Sequence, residues 1–323
     1  MGIESTAHTF GIGIVDSKGK ILADVRDTFT TKKGGMIPNE VALHHEKVKE
    51  RVLEEALKSS DTNLEDIDVI AFSQGPGLAP CLVVGMNFSK EIALNSKKPL
   101  VGVNHIVGHL ELGKILTKAK DPIFVFVSGA NTQIIAHEGG KYRVFGEALS
   151  IALGNALDKF GRIIGLGFPA GPEIEKLAKK GKYIELPYCV KGMDVDFSGI
   201  LTKVENLYKK GARKEDLCYS LQETCFAMLT EVAERALAHC GKNEILLIGG
   251  VAANKRFCEM LDVMCKERGA KFYACPLKYA GDNGVQIAWL GILEYKTRKN
   301  FPKIEEIDIK PRWRVDEVET TWI

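Results

Sequence analysis

Two histidines four residues apart give the sequence its clearest metal-binding pattern. His105 and His109 follow the apolar run at residues 100–103, so His105 stands where a predicted strand ends and a helix begins. On a helix, residues i and i+4 lie on one face, close enough for two imidazoles to bind one ion. A solvated pair of polar residues is the alternative, and the spacing and position favour metal binding.

Asp282 is the candidate third ligand, at a predicted boundary between a loop and a helix. A helix cap is the alternative role for an aspartate in this place. Two imidazoles and a carboxylate suit iron, zinc, manganese or magnesium, so the ligands leave the metal open. A metallopeptidase needs a glutamate directly after its first histidine, and that residue is Ile106, while Glu111 lies outside the pattern.

Two glycine-rich turns are candidates for holding a nucleotide. They are residues 128–131 (Ser-Gly-Ala-Asn) and 249–254 (Gly-Gly-Val-Ala-Ala-Asn), and neither has P-loop or Rossmann spacing. Glycine lets a phosphate approach the backbone closely, and N–H groups at a helix start bind phosphate. Either turn alone is equally typical of a tight turn. We expect the two turns to occupy equivalent places in two lobes.

Two carboxylates and a basic segment are weaker candidates. Asp158 and Glu175 lie on predicted helices beside Gly/Pro turns, where they would accept hydrogen bonds from ribose hydroxyls or simply face solvent. A basic segment in the same half would track phosphates or form a solvated face. Its residues are Lys176, Lys179, Lys180, Lys182, Lys191, Lys209, Lys210, Arg213 and Lys214.

Composition narrows the function classes. The net charge of the 323 residues is +2, so no global basic field indicates nucleic acid or membrane binding. No apolar run is long enough to cross a bilayer, and the start of the chain lacks a signal-peptide pattern. The eight cysteines form no Cys-x-x-Cys pair, which indicates reduced thiols. No Ser–His or Cys–His pair stands out, so we expect no side-chain nucleophile.

The elements that would position these residues alternate between strands and helices. Strands are predicted at 11–15, 21–25, 67–72, 100–103, 123–127, 132–136, 142–145, 244–248 and 272–274. Helices are predicted at 40–57 with Asn39 as cap, 81–95, from 105, 155–164, 172–180, from 252, and 283–295. Residues 181–243 receive no assignment.

This order repeats one plan twice and predicts a duplicated α/β protein of two lobes. Each half has a hairpin, then an apolar strand that runs into a glycine-rich turn and a helix, at residues 72–77 and 248–254. We expect an actin-like ATPase, sugar kinase or Hsp70-type architecture with a central cleft. The expected lobes are residues 1–121 and 122–323, with the last helix packing back on the first lobe.

Several ordered strings resemble the tRNA N6-adenosine threonylcarbamoyltransferases, the catalytic subunits of the KEOPS/EKC complex, formerly called O-sialoglycoprotein endopeptidases. The resemblance covers essentially the whole chain and is closest to the archaeal and eukaryotic branch. The matching strings lie at residues 2–9, 71–77, 103–109, 127–133, 142–147, 191–194, 197–199, 249–254, 282–284 and 314–319.

The resemblance implies transfer of threonylcarbamoyl from threonylcarbamoyl-AMP to the N6 amine of an adenosine beside the tRNA anticodon, releasing AMP. It implies one divalent metal, with iron favoured and zinc or magnesium possible, on His105, His109 and Asp282. It also implies partners, namely tRNA, a small atypical kinase and a small dimerising subunit, and a cytoplasmic location (also nuclear in a eukaryote). The implied residues for ATP or the adenylate are Phe126, Val127, Ser128, Gly129, Ala130, Asp158, Gly171, Glu175, Gly249, Gly250 and Asn254.

The sequence departs from the family pattern at four positions. Phe126 replaces a usual tyrosine whose phenol can reach the metal, Ala130 and Ala170 replace usual glycines, and Ser150 replaces a common aspartate. A catalytically weakened assembly subunit is therefore one alternative function. An ATPase or small-molecule kinase of the same fold is another.

Overall fold

The computed structural model describes residues 1–31 and 37–323, which form two compact units. The first unit comprises Met1–Ile115 and Asp282–Ile323, and the second comprises Leu116–Gly281. The predicted lobes were residues 1–121 and 122–323, with the last helix packing back on the first lobe, and this packing brings the end of the chain into the first unit. The physical reason is that the last long helix buries its apolar residues, such as Val285 and Ile287, against the first unit's sheet.

Strands and helices are numbered along the chain. The strands are β1 (Gly2–Glu4), β2 (Thr9–Val15), β3 (Ile21–Thr28), β4 (Ile70–Gly75), β5 (Leu100–Asn104), β6 (Ile123–Val127), β7 (Thr132–Glu138), β8 (Lys141–Glu147), β9 (Val190–Lys191), β10 (Asp194–Val195), β11 (Glu244–Ile248) and β12 (Lys271–Ala274). The helices are α1 (Pro38–Ser60), α2 (Ala79–Ser96), α3 (His105–Thr117), α4 (Leu153–Ile163), α5 (Gly171–Ala178), α6 (Ser198–Lys209), α7 (Lys214–Cys240), α8 (Lys255–Glu267), α9 (Leu277–Ala280) and α10 (Gly284–Thr297). Short 3₁₀ turns lie at Leu64–Asp66, Gly250–Ala253, Ile304–Glu306 and Val315–Glu317.

The two units share one sheet topology. In the first unit the strand order is β3-β2-β1-β4-β5, with the first three strands antiparallel and β1, β4 and β5 parallel. In the second unit it is β8-β7-β6-β11-β12, with the same orientations. The predicted duplication is therefore confirmed. The turn after β6 corresponds to the turn after β1, and the turn after β11 corresponds to the turn after β4.

Each unit has its own hydrophobic core. Ile3, Phe10 and Phe72 are fully buried in the first, and the stacked rings of Phe226 and Phe257, 4.7 Å apart, are fully buried in the second. Burying one such side chain contributes roughly 1.5–3 kcal/mol. The sheets are thus held rigidly enough for the turns at their strand ends to place functional groups.

One local prediction was wrong and one segment was missed. Helix α1 begins at Pro38 after Ile37, not at a cap formed by Asn39, because proline suits the first helical position. Residues 181–243, left unassigned, contain β9, β10, α6 and α7. All eight cysteines are free, as predicted. In the part of the chain that the structure describes, no helix is long and apolar enough to span a membrane.

Candidate functional site

The two histidines enter the site from the junction of β5 and α3. The side chain of Asn104, the last residue of β5, accepts hydrogen bonds from the N–H groups of Ile106 (3.0 Å) and Val107 (3.1 Å). This cap fixes the helix start, so His105 and His109 project from one face as the spacing predicts. Their ring centroids lie 4.8 Å apart with the ring planes nearly perpendicular, and both side chains are buried.

Asp282 meets both histidines from the loop before α10. Its Oδ1 lies 3.5 Å from Nε2 of His105 and 3.4 Å from Nε2 of His109. One ligand atom of each of the three residues lies within 4.8 Å of the others. The cap of α10 is Asn283, whose side chain accepts a hydrogen bond from the N–H of Gln286 at 3.0 Å. Capping, the alternative role considered for Asp282, therefore belongs to Asn283.

Glu4 supports His105 from behind. Its Oε2 lies 2.8 Å from Nδ1 of His105, and its Oε1 accepts from the N–H (2.7 Å) and the hydroxyl (2.5 Å) of Thr6. Since Nδ1 donates to this carboxylate, Nε2 is the nitrogen turned toward Asp282. A carboxylate behind a histidine is the usual support of a metal ligand, so these residues fit a divalent ion.

The protonation states agree with such a site. Burial lowers the pKa of His105, but Glu4 and Asp282 outweigh it and raise the pKa to about 9. Burial prevails at His109, whose pKa is lowered. Burial alone would raise the pKa of Asp282, yet the hydrogen bond from His109 and the charge of His105 hold it well below its usual range. A cation bound here therefore releases a proton from His105, and its affinity rises with pH.

The two glycine-rich turns lie side by side in the second unit, which corrects the expectation that they occupy equivalent places in two lobes. They leave the same ends of β6 and β11, which are parallel neighbours with Phe126 opposite Ile248. Gly249 has φ +93°, and a Cβ there would lie 2.3 Å from the carbonyl oxygen of Val127. The strand order is the physical reason. Strands β6 and β11 are neighbours in the second sheet although they are far apart in sequence, so the turns that follow them lie side by side.

Hydrogen bonds, chain connections and one close backbone contact link the predicted nucleotide residues into a ring. The carbonyl of Ser128 accepts from Gly154 at the start of α4 (3.2 Å), and Oδ1 of Asp158 on α4 accepts from Ala170 before α5 (2.7 Å). Oε1 of Glu175 on α5 accepts from Lys255 (3.0 Å). The ring closes from Asn254, which caps α8, through residues 249–250 back to β6.

Within this ring the residues differ in what they can offer a ligand. Phe126 and Val127 are buried strand residues, whereas Gly129, Ala130 and Gly250 are exposed and Gly171 is half-exposed. The side chain of Asn254 is occupied, since Oδ1 accepts from Phe257 (3.1 Å) and Nδ2 donates to Gln222 (2.6 Å). The turn backbone at Gly129, Ala130 and Gly250 is thus the most exposed part of this ring.

The departures at Ala130 and Ala170 cost no backbone strain. Among the described residues, the positive-φ residues other than glycine are Asp61, Lys97 and Lys118, so both alanines have ordinary backbone angles. A glycine is not required at either position for the conformation seen here.

Sequence reasoning missed Glu4. A charged residue at the end of a short strand, where burial is expected, is the signal that could have identified it. Glu4 is fully buried, which a carboxylate tolerates only when it is well hydrogen-bonded or paired.

Comparisons with known proteins agree on one family. Residues 20–289 match the family model described as TsaD, tRNA N6-adenosine threonylcarbamoyltransferase. The chain is 55% identical, over its full length and 99% of the relative, to the tRNA N6-adenosine threonylcarbamoyltransferase of Thermococcus sibiricus. The protein of that name from Archaeoglobus fulgidus is 50% identical over the same shares of both chains. A probable bifunctional tRNA threonylcarbamoyladenosine biosynthesis protein of Methanobrevibacter smithii is also 50% identical, and the match covers 60% of its length.

Solved structures share the fold at low sequence identity. The crystal structure of T. kodakarensis HypF superposes on this chain with a TM-score of 0.62 at 15% sequence identity, and the match covers 92% of this chain and 49% of that one. The activator of 2-hydroxyisocaproyl-CoA dehydratase from Clostridium difficile, solved with bound ADPNP, has a TM-score of 0.54 at 13% identity, covering 94% and 98%.

These neighbours share the fold of the chain, a duplicated α/β fold of the actin-like type, as predicted. The chain belongs to the tRNA N6-adenosine threonylcarbamoyltransferase family.

Proposed function

We propose that this chain transfers threonylcarbamoyl from threonylcarbamoyl-AMP to the N6 amine of an adenosine beside the tRNA anticodon, with a divalent metal on His105, His109 and Asp282. The observation that carries the proposal is this buried triad with Glu4 behind it, in a chain half identical or more to transferases of that name. The residues of the family pattern fall into two groups, the triad and the ring around the glycine-rich turns.

The reaction needs no side-chain nucleophile. The N6 amine forms a bond to the carbamoyl carbon, the bond from that carbon to the phosphate oxygen breaks, and AMP departs with the electron pair while the amine loses a proton. Because the mixed anhydride is already activated, the protein has to bind, orient and stabilise charge. The raised thiol pKa values of the buried cysteines, for example about 11 for Cys81, agree with inert thiols.

A divalent ion on the triad would supply positive charge for a phosphate or a polarised acyl oxygen. His105 and His109 would bind it through Nε2, and Asp282 through a carboxylate oxygen. The family resemblance favours iron, while the donor set also accepts zinc or magnesium. Glu4 holds the His105 ring in place and keeps the proton on Nδ1, which leaves Nε2 for the ion.

The ring around the glycine-rich turns would bind ATP or the adenylate. Its exposed backbone at Gly129, Ala130 and Gly250 lets a flat base or a phosphate approach closely. Asp158 and Glu175 each accept a protein N–H through one oxygen and would use the other for ribose hydroxyls. Phe126 cannot bind a metal through its ring, so we expect water or substrate where the family uses a phenol.

We further propose that the chain works in the cytoplasm within a KEOPS/EKC-like complex that contains a small atypical kinase and a small dimerising subunit. The Methanobrevibacter smithii relative supports a partner, since it is described as bifunctional in the same biosynthesis and extends beyond the match. The near-neutral charge of +2 supports shared capture of tRNA.

Reconstitution tests the proposal. The chain, candidate partner subunits, threonylcarbamoyl-AMP and unmodified tRNA are incubated, and the modified nucleoside is measured by mass spectrometry. We expect the wild type to form it and the His105→Ala/His109→Ala variant to lose it, with His44→Ala/His137→Ala as the matched histidine control. Rapid ATP turnover without tRNA, and no modified nucleoside, would favour an ATPase instead. Full transfer by the His105→Ala/His109→Ala variant would leave the triad without a catalytic role.

A further inference from the structure

Two segments of the second unit are rich in lysine, and each contains one glycine. Residues 179–182 (Lys-Lys-Gly-Lys) and residues 209–214 (Lys-Lys-Gly-Ala-Arg-Lys) contain seven cationic residues and no acidic one. All seven cationic residues are exposed. We call these two segments the basic loops.

The basic loops are neighbours in space. The N–H of Lys182 donates to Oδ1 of Asp216 at 2.8 Å, and Asp216 stands in the first turn of α7, directly after the second loop. The backbone at Gly181 approaches the same turn so closely that a Cβ there would lie 2.2 Å from the carbonyl oxygen of Glu215. Both loops therefore contribute to one surface.

Most of the positive charge on this surface is not neutralised. Lys209 pairs with Glu205 at 2.7 Å, and Arg213 lies 3.8 Å from Glu215 and 3.9 Å from Asp216. Within the described residues, the other five cations have no ion pair. They are Lys179, Lys180, Lys182, Lys210 and Lys214. Five such charges on one surface are notable in a chain whose total net charge is +2.

We propose that the basic loops bind the sugar-phosphate backbone of the tRNA substrate. The proposal rests on the proposed function for the identity of the RNA. Exposed lysines without an ion pair match the regular negative charge of a phosphate backbone. Tyr183, which directly follows Lys182 and is 55% exposed, adds a flat ring on which an unpaired base can stack.

The salt dependence of tRNA binding tests this surface. Affinity of the full chain for unmodified tRNA is measured between 50 and 300 mM salt, for the wild type and for Lys179→Gln/Lys180→Gln/Lys182→Gln. Each lost phosphate contact lowers the slope of log K against log salt by about 0.7–0.9, so the slope should fall by about 2 and affinity at 0.1 M salt by about tenfold or more. Lys47→Gln/Lys58→Gln/Lys97→Gln, on exposed lysines of the first unit, removes the same charge and should change neither.

The transfer assay separates this inference from the proposed function. If both are correct, the loop variant raises KM for tRNA and leaves kcat and adenylate affinity unchanged, and the matching triple change to arginine restores the slope. If the wild type transfers nothing but the loop variant still loses tRNA affinity, the surface stands and the proposed function fails. An unchanged slope and KM in an active enzyme would overturn the surface. So would a loop variant that keeps its tRNA slope and instead loses an acidic partner subunit.

Discussion

Replacing Glu4 by glutamine tests whether the Glu4 carboxylate supports the metal ligand His105. The carboxylate accepts three hydrogen bonds, from Nδ1 of His105 and from the N–H and hydroxyl of Thr6. A glutamine of the same size has only one accepting oxygen. Its amide N–H₂ must face either the imidazole N–H or the two donors of Thr6.

The expected consequence is a weaker metal site in a folded protein. Loss of a supporting partner of this kind costs about 10- to 100-fold in metal affinity, which is about 1.4–2.7 kcal/mol. With the carboxylate gone, the His105 pKa also falls, because Glu4 is the main group that raises it. Proton release on metal binding should therefore shift to lower pH than in the wild type.

The assay is a competition titration with a chelator of known affinity, repeated from pH 6 to pH 9. Glu111→Gln is the matched control, because Glu111 is a buried carboxylate of α3 that accepts from the indole N–H of Trp322 at 2.8 Å. We expect this control to alter stability but not metal affinity. An unchanged affinity in Glu4→Gln, with the native fold retained, would refute the argument that Glu4 orients His105.

Three further changes have expected outcomes that chemical denaturation can measure. Gly249→Ala should destabilise the fold by about 1–3 kcal/mol, because of its positive φ and the Val127 carbonyl 2.3 Å from the new Cβ, while Gly250→Ala, with open space around it, should be nearly neutral. Asn254→Ala should cost about 1–2 kcal/mol through loss of the α8 cap, and an unchanged midpoint would show that the cap is dispensable. Burial raises the pKa of Glu294 to about 7, above its unfolded value, so stability should fall by up to about 3 kcal/mol as pH rises from 4.5 through 7. Glu294→Gln should remove that fall, and a wild type whose stability is flat over this range would contradict it.

The metal triad was predictable because its spacing is local. His105 and His109 are separated by one helical turn, and Asp282 stands beside a cap residue whose pattern is visible in sequence. Glu4 was missed because it reaches His105 only through the order β1-β4-β5, in which strands distant in sequence become neighbours. The same long-range order placed the two glycine-rich turns in one unit.

Helix α7 was missed for a different physical reason. Its 27 residues are buried at many positions around the helix, including Leu217, Phe226 and Met228, so no single apolar stripe reveals the helical period. Glu215 and Asp216 in its first turn and Gly241 at its end are the signals that could have located it. Metal binding by the triad and nucleotide binding by the ring stay predictions, because the fold of the chain does not determine which ligand is bound.

The most direct test of the central claim is transfer activity against metal supplied. Metal-stripped chain is reconstituted with its partner subunits and increasing amounts of iron, zinc or magnesium, and the modified nucleoside is measured at saturating threonylcarbamoyl-AMP and tRNA. The account predicts activity that rises with one of these metals, saturates at one ion per chain and is absent in His105→Ala/His109→Ala. Full activity in the stripped protein or in that variant would contradict it.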